Sequence, residues 1–142
     1  MLTILLEMRP KSVNSSRSVR NGKIIKSKKH RDYFKEMEFL LLPFRSELSG
    51  FSGKFKASHK RISMEVFFYD SKYWTRDKKK MNENTLDTSN IYKSIEDAVF
   101  RAMGLNDSFN RKIMAESIPS DKDKVIITLS LINHAQLNEV CF

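Results

Sequence analysis

The chain is poor in several things at once. Its 142 residues include one cysteine, three prolines, four glycines and three histidines. A lone Cys141 excludes a disulfide framework within one chain and any multi-cysteine metal centre, and it suits a reducing cytoplasm. His30, His59 and His134 are scattered, without the spacing of a zinc site. No Gly-rich phosphate loop is present, so no ATP site is expected, and no motif supports a serine triad. Apolar runs are short: Leu2-Thr3-Ile4-Leu5-Leu6 meets Glu7 at once and reads as a strand rather than a signal peptide. Nothing approaches the roughly 20 apolar residues of a membrane span, and no membrane partner is expected. Acid is also scarce. Against 26 Lys+Arg stand 17 Asp+Glu, a net charge of +9, which favours a polyanion, nucleic acid before membrane.

What is present is an ordinary globular composition, 40% hydrophobic with ten Phe, at a length suited to one domain over residues 1–142. Asn21-Gly22 between two short alternating segments predicts a hairpin with a type I′ turn. That hairpin carries Arg17, Arg20, Lys23 and Lys26 and little apolar surface, so it should project from the body. After Ser27, a candidate cap, Tyr33, Phe34, Met37, Leu40, Leu41 and Phe44 recur at helical spacing, with Pro43 threatening the last turn. Gly50 and Gly53 mark a loop. Alternation over Arg61–Tyr69 predicts a strand. Ser71–Lys80 has no helical stripe and reads as a basic, aromatic loop.

A second helix is predicted from about Thr88 to Met103, with Ile91, Ile95, Ala98, Val99 and Ala102 as its apolar stripe and Gly104 as a left-handed C-terminal cap. Two strand-like runs, Ile113–Ile118 and Val125–Ile132, close the chain around the turn Pro119–Asp123. The sum is an α+β fold: a compact mixed β-sheet with a basic N-terminal hairpin and two main helices.

Two features could carry chemistry. Lys72, Trp74, Arg76, Lys78, Lys79 and Lys80 in the loop combine cations with a stacking ring, as nucleic-acid binding requires. With the hairpin cations, then Lys28, Lys29 and Arg31, they form two basic blocks on one chain. The other feature is Asp87 at the mouth of the second helix, with Asn90, Lys93 and Asp97 within a sector of about 60° on its polar side, and Asp107 beyond its end. By pattern alone these are an N-cap, an i, i+4 ion pair and a turn residue. A helix of that length spans ~24 Å, so Asp87 and Asp107 approach each other only if the flanking segments fold back, or if a second subunit supplies one of them.

Asp87-Thr88-Ser89-Asn90-Ile91-Tyr92-Lys93, then Asp97-Ala98, then Gly104-Leu105-Asn106-Asp107, resembles the RusA-type Holliday-junction resolvases. Their signature is Asp-x-Asp-Asn-x-x-Lys opening a helix, an Asp-Ala pair along it and an aspartate after it. Pro10-Lys11-Ser12-Val13-Asn14, the basic hairpin and Arg31-Asp32-Tyr33 are similar as well, so the likeness covers most of the chain. It implies a Mg²⁺-dependent endonuclease (Mn²⁺ as the substitute ion) that cuts four-way DNA junctions in recombination and repair, acting as a homodimer in the cytoplasm and encoded by a bacterium, prophage or phage. It further implies Asp87 and Asp107 as metal-binding carboxylates, Lys93 as the catalytic lysine and Asn90 as the polar residue beside them.

Ser89 departs from the pattern by standing where the family has its second aspartate, and a neutral hydroxyl is a weaker ligand for a hard cation. Either Asp97 supplies the missing charge, or the chain binds branched DNA without cutting it. A protein directed at structured RNA is a third reading of the same basic surface.

Overall fold

A computed structural model of the chain describes residues 1–11, 17–20, 23–26, 28–83 and 87–135, with only the backbone course given for 17–20, 23–26 and 28–30. The Asn21-Gly22 turn, the Ser27 cap, the Ser12-Val13-Asn14 part of the N-terminal motif and Cys141 lie outside the described residues.

Four strands, β1 (Leu2–Leu6), β4 (Arg61–Asp70), β5 (Asn110–Pro119) and β6 (Lys124–Ile132), form one sheet in the order β1-β6-β4-β5. β6 runs antiparallel to β1 and β4, whereas β5 runs parallel to β4, so the sheet is mixed as expected. The hairpin strands β2 (Arg17–Arg20) and β3 (Lys23–Lys26) form a separate two-stranded sheet among the described residues, with Arg17 opposite Lys26 and Arg20 opposite Lys23.

The alternation that predicts the strands also decides which face is covered. Ile4 and Leu6 of β1, Ile62, Met64, Val66 and Phe68 of β4, and Val125, Ile127 and Leu129 of β6 are all buried. They share one core with the helices α1 (Lys28–Leu41), α2 (Arg45–Lys56) and α3 (Thr88–Met103). Each large apolar side chain so buried stabilises the fold by about 1.5–3 kcal/mol before the entropy cost of ordering it. In α1, Tyr33, Phe34, Met37 and Leu41 face that core. Pro43 does end this helix, leaving a 3-10 turn at Leu42–Phe44, because proline lacks the N–H that the next turn would use.

One expectation needs correction. Gly50 and Gly53 lie inside α2 rather than in a loop. Leu48 and Phe51 are buried, and Phe55 packs against the same core, so the apolar spacing of three and four outweighs the cost of about 1 kcal/mol that each glycine imposes. Neither glycine is required by crowding, since a Cβ there would meet nothing within 4 Å. The closing runs are strands, as expected, and β4 lies between them in the sheet.

Their connection therefore crosses the end of β4, where charge fixes it. Arg9 bonds the buried carboxylate of Asp70 at 2.6 Å and Asp123 at 3.1 Å. Asp70 also accepts from the Lys72 backbone N–H, and Asp123 from that of Ser71. These bonds set the point at which the basic loop leaves the sheet. In that loop Thr75 N–H bonds Lys80 O at 2.9 Å and Asn82 N–H bonds Tyr73 O at 2.8 Å. Lys72, Trp74, Arg76, Lys78, Lys79 and Lys80 are all exposed.

Candidate active site

Helix α3 starts as its sequence dictates. Asp87 has extended backbone angles (φ −67°, ψ 128°), and its side chain accepts hydrogen bonds from the N–H groups of Ser89 and Asn90. The Ser89 hydroxyl donates to the same oxygen, Oδ1. These bonds, the Ser89 hydroxyl first, hold the Asp87 carboxyl below the usual aspartate range, so it stays ionised at neutral pH. Asp87 is an N-cap, as its position predicts. All three bonds go to Oδ1, and Oδ2 takes no part in the cap.

The other end stops at Gly104, whose φ of 68° is left-handed, a conformation that costs an L residue energy and glycine almost none. The N–H groups of Gly104 and Leu105 bond the carbonyls of Arg101 and Phe100. Ser52 of α2 adds a hydroxyl on the Met103 carbonyl at 3.1 Å. This sharp stop turns the chain back on the helix. Asn106 caps a 3-10 turn at Asp107–Phe109 through the Ser108 N–H, and Asp107 arrives beside the middle of α3.

There it meets Lys93. The ammonium lies 2.8 Å from Asp107 Oδ2, 3.1 Å from Glu96 Oε1 and 3.2 Å from Asp97 Oδ1. The three acids each offer an oxygen within 4.8 Å of the others. Asp107 first, then Glu96 and Asp97, raise the Lys93 pKa well above the ordinary lysine value, so the lysine is cationic throughout the neutral range. Lys93 is half exposed, whereas the Glu96 side chain is only 7% exposed. The cluster thus has a rigid, buried back and an open front.

The back is built by a network that sequence reading did not single out. Glu96 Oε2 accepts from Asn110 Nδ2 at 2.7 Å; the same amide bonds the Tyr92 hydroxyl at 2.7 Å, and Tyr92 donates to Met64 O at 3.1 Å. Burial foremost pushes the Tyr92 phenol up to about 12, so it is a neutral donor here. Glu96 has a weak signal in the sequence, three residues after Lys93 on the same helix. Asn110 has none, because it becomes relevant only once β5 docks beside β4.

The predicted residues therefore fall into two groups. Lys93, Asp97 and Asp107 come together, joined by Glu96. Asp87 and Ser89 sit at the helix mouth, outside that three-acid cluster, with Lys93 six residues and about 9 Å along the axis from Asp87. The fold-back thus brings Asp107 to Lys93 within one chain, and Asp87 does not join the group. Asn90 lies in the first turn, where its N–H serves the cap.

The basic loop leaves the C-terminal end of β4, and Trp74, Arg76 and Lys78 line a cleft with Pro119–Asp121 at the end of β5. The mouth of α3 lies against that end of β5, with Thr88 Oγ1 at 2.7 Å from Ser117 Oγ, whereas Asp107 stands before its start. The hairpin cations Arg17, Arg20, Lys23 and Lys26 are placed by their backbone register alone.

Among models of known protein families, the one described as Endodeoxyribonuclease RusA matches residues 7–130, most of the chain and all of the cluster. No curated protein sequence matches the chain significantly.

Proposed function

The chain is a member of the RusA endodeoxyribonuclease family, and from that membership we propose that it is a Mg²⁺-dependent endonuclease resolving four-way DNA junctions as a homodimer. One observation carries the reading beyond membership: a lysine and three carboxylates, drawn from α3 and from the turn folded back on it, converge on one open-fronted point. An ordinary surface ion pair needs one acid, and three acids around one ammonium is a surplus of negative charge suited to a cation.

The donor set fits the ion. It is all oxygen, as a hard divalent cation prefers, and Asn110 fixes the buried carboxylate that would otherwise rotate. Asp107 and Asp97 would hold the ion, with Glu96 behind them and Asp87 at the helix mouth. That assignment makes Asp97 the residue that compensates for Ser89. Bound there, Mg²⁺ supplies an activated water and a polarised phosphate.

The chain's own residues do the rest. Lys93, permanently charged, stabilises the negative charge that grows on the phosphate oxygens. Lys72, Arg76, Lys78, Lys79 and Lys80 hold flanking phosphates, and Trp74, 45% exposed, offers a ring for stacking. Arg17, Arg20, Lys23 and Lys26, paired by backbone register in the hairpin, add four cations to the same task. Two copies related by a two-fold axis would present two such sites to a junction of similar symmetry, so paired cuts release two duplexes. A cytoplasmic setting, in a bacterium or a phage-infected cell, belongs to the same proposal.

One observation favours the rival reading of a junction-binding protein that does not cut. The Ser89 hydroxyl is turned onto Asp87, a bond that serves the helix cap without any metal. Incubation of the protein with a synthetic four-way junction and Mg²⁺, beside a linear duplex of the same sequence, separates the two. The nuclease reading expects paired nicks in the junction alone, absent in EDTA. Tight junction binding with no cutting at any Mg²⁺ concentration would establish the rival.

A further inference from the structure

A second feature lies at the opposite end of the sheet from the basic loop. Between the end of α2 and the starts of β4 and β5 is a cleft of about 520 Å³. Its apolar part is the ring pair Phe55–Phe109, with centroids 5.0 Å apart and planes at 55°. Its charged part is Lys60, Arg61 and Arg111, and His59 and His134 add ring N–H donors. Among the described residues no carboxylate lines it.

Two details suggest a built surface rather than a solvated basic edge. Phe109 is 44% exposed, an unfavourable state for a ring whose only task is packing. Arg111 occupies a bulge: Ile62 pairs with Asn110 and Ser63 with Lys112, so Arg111 has no register partner. That extra residue lets Asn110 turn inward to Glu96 while Arg111 lines the cleft, the kind of re-aiming that bulges perform beside functional sites. Phe109 is also two residues from Asp107, so its Cα lies within roughly 7 Å of that of a cluster residue.

We propose that this cleft takes one unstacked base of a DNA strand, stacked on Phe109, with the adjoining phosphates held by Lys60 and Arg111. The assignment to DNA rests on the nuclease reading above; the chemistry of the cleft, a ring with cations and no acid among the described lining residues, is that of single-strand binding. In a continuous duplex every base is held by stacking on both sides, whereas at a branch point the continuous stack is interrupted, so a base there can leave its neighbours and enter at lower cost. The cleft is accordingly a selector for branched substrates, and Arg61 steadies its wall through the 3.1 Å bond of its Nε–H to Asn133 O.

The test needs no metal and no cutting. Labelled (dT)12 and a blunt 12-base-pair duplex are titrated in EDTA and followed by fluorescence anisotropy. Phe109→Ala is expected to weaken (dT)12 binding about tenfold, the loss of one base stack, and to leave the duplex within about twofold. Lys60→Gln with Arg111→Gln, which leaves both rings in place, should lower the slope of log K against log salt by about 1.4, two phosphate contacts.

Equal weakening of both DNAs by Phe109→Ala, or no change in either, overturns the proposal. So does tighter binding of (U)12 than of (dT)12, which would assign the cleft to RNA. Because no step is catalytic, a selective tenfold loss in a protein that never cuts junctions would sustain the cleft and sink the nuclease reading.

Discussion

Asp107→Asn is expected to lower Mg²⁺-dependent cutting of a four-way junction by a factor on the order of a hundred or more, with junction affinity in EDTA unchanged. The substitution replaces a charged oxygen by a neutral one of the same shape, at the one acid that the fold-back delivers from outside α3. Its 2.8 Å bond to Lys93 is partly exposed, with 39% of the Asp107 side chain accessible, so screening keeps its share of stability to about 1 kcal/mol or less. The melting temperature should therefore move by only a few degrees, roughly 2–4 °C. A large loss of activity in a protein that melts normally separates a ligand from a structural ion pair. Full activity in the variant would remove Asp107 from the chemistry.

The second large effect is expected at Lys93, in two directions at once. Lys93→Met removes the only cation placed among Glu96, Asp97 and Asp107 in the described residues. Cutting should fall by about a hundredfold, since nothing then offsets charge on the phosphate. Divalent-ion binding should become tighter, because the ammonium no longer competes for the same oxygens. Without an ion the variant should lose about 1–3 kcal/mol, as Glu96 keeps its buried position but loses a charged partner, and Mn²⁺ should restore more of that loss than it adds to the unsubstituted protein. Isothermal titration with Mn²⁺ and melting curves with and without it read both effects. Parallel weakening of ion binding and cutting would mean that Lys93 positions the acids rather than acting on the phosphate.

Lys93 itself should not set the pH dependence of cutting near neutrality, because its three acids hold it charged well past the ordinary lysine range. The Asp87 cap behaves in the opposite sense. Its folded-state pKa is lowered, so its contribution to stability is present above the unfolded aspartate value and is lost as pH falls through the folded one.

Much of the site was legible in the sequence because its parts are local. An N-cap needs an acceptor directly before the helix, and Asp87 is one; a helix stop needs a left-handed residue, and Gly104 is one. The i, i+4 pair of Lys93 and Asp97 is equally local, and it exists at 3.2 Å. What sequence could not show is long-range. Asn110 reaches Glu96 only through the parallel docking of β5 on β4, and no periodicity encodes that.

Helix α2 escaped for a different reason. Gly50 and Gly53 look like breakers until Leu48 and Phe51 are seen buried on one side, and Ser52 is found bonding the end of α3. Helix α3 is also buried more widely than a stripe predicts, with Tyr92, Ser94, Glu96, Phe100 and Met103 covered and Ala102 exposed. That wide burial lets an acid face inward, and Asn110 and Lys93 make it tolerable there.

Ser89 leaves the ion one carboxylate short at the helix mouth, and the position of a bound ion tests directly whether Asp97 replaces it. Crystals grown or soaked with Mn²⁺ locate the ion by its anomalous scattering. Mn²⁺ should be bound by oxygens of Asp107 and Asp97 at about 2.1 Å, with Lys93 displaced from between them. An ion held elsewhere, or none at a concentration that supports cutting, would contradict that assignment.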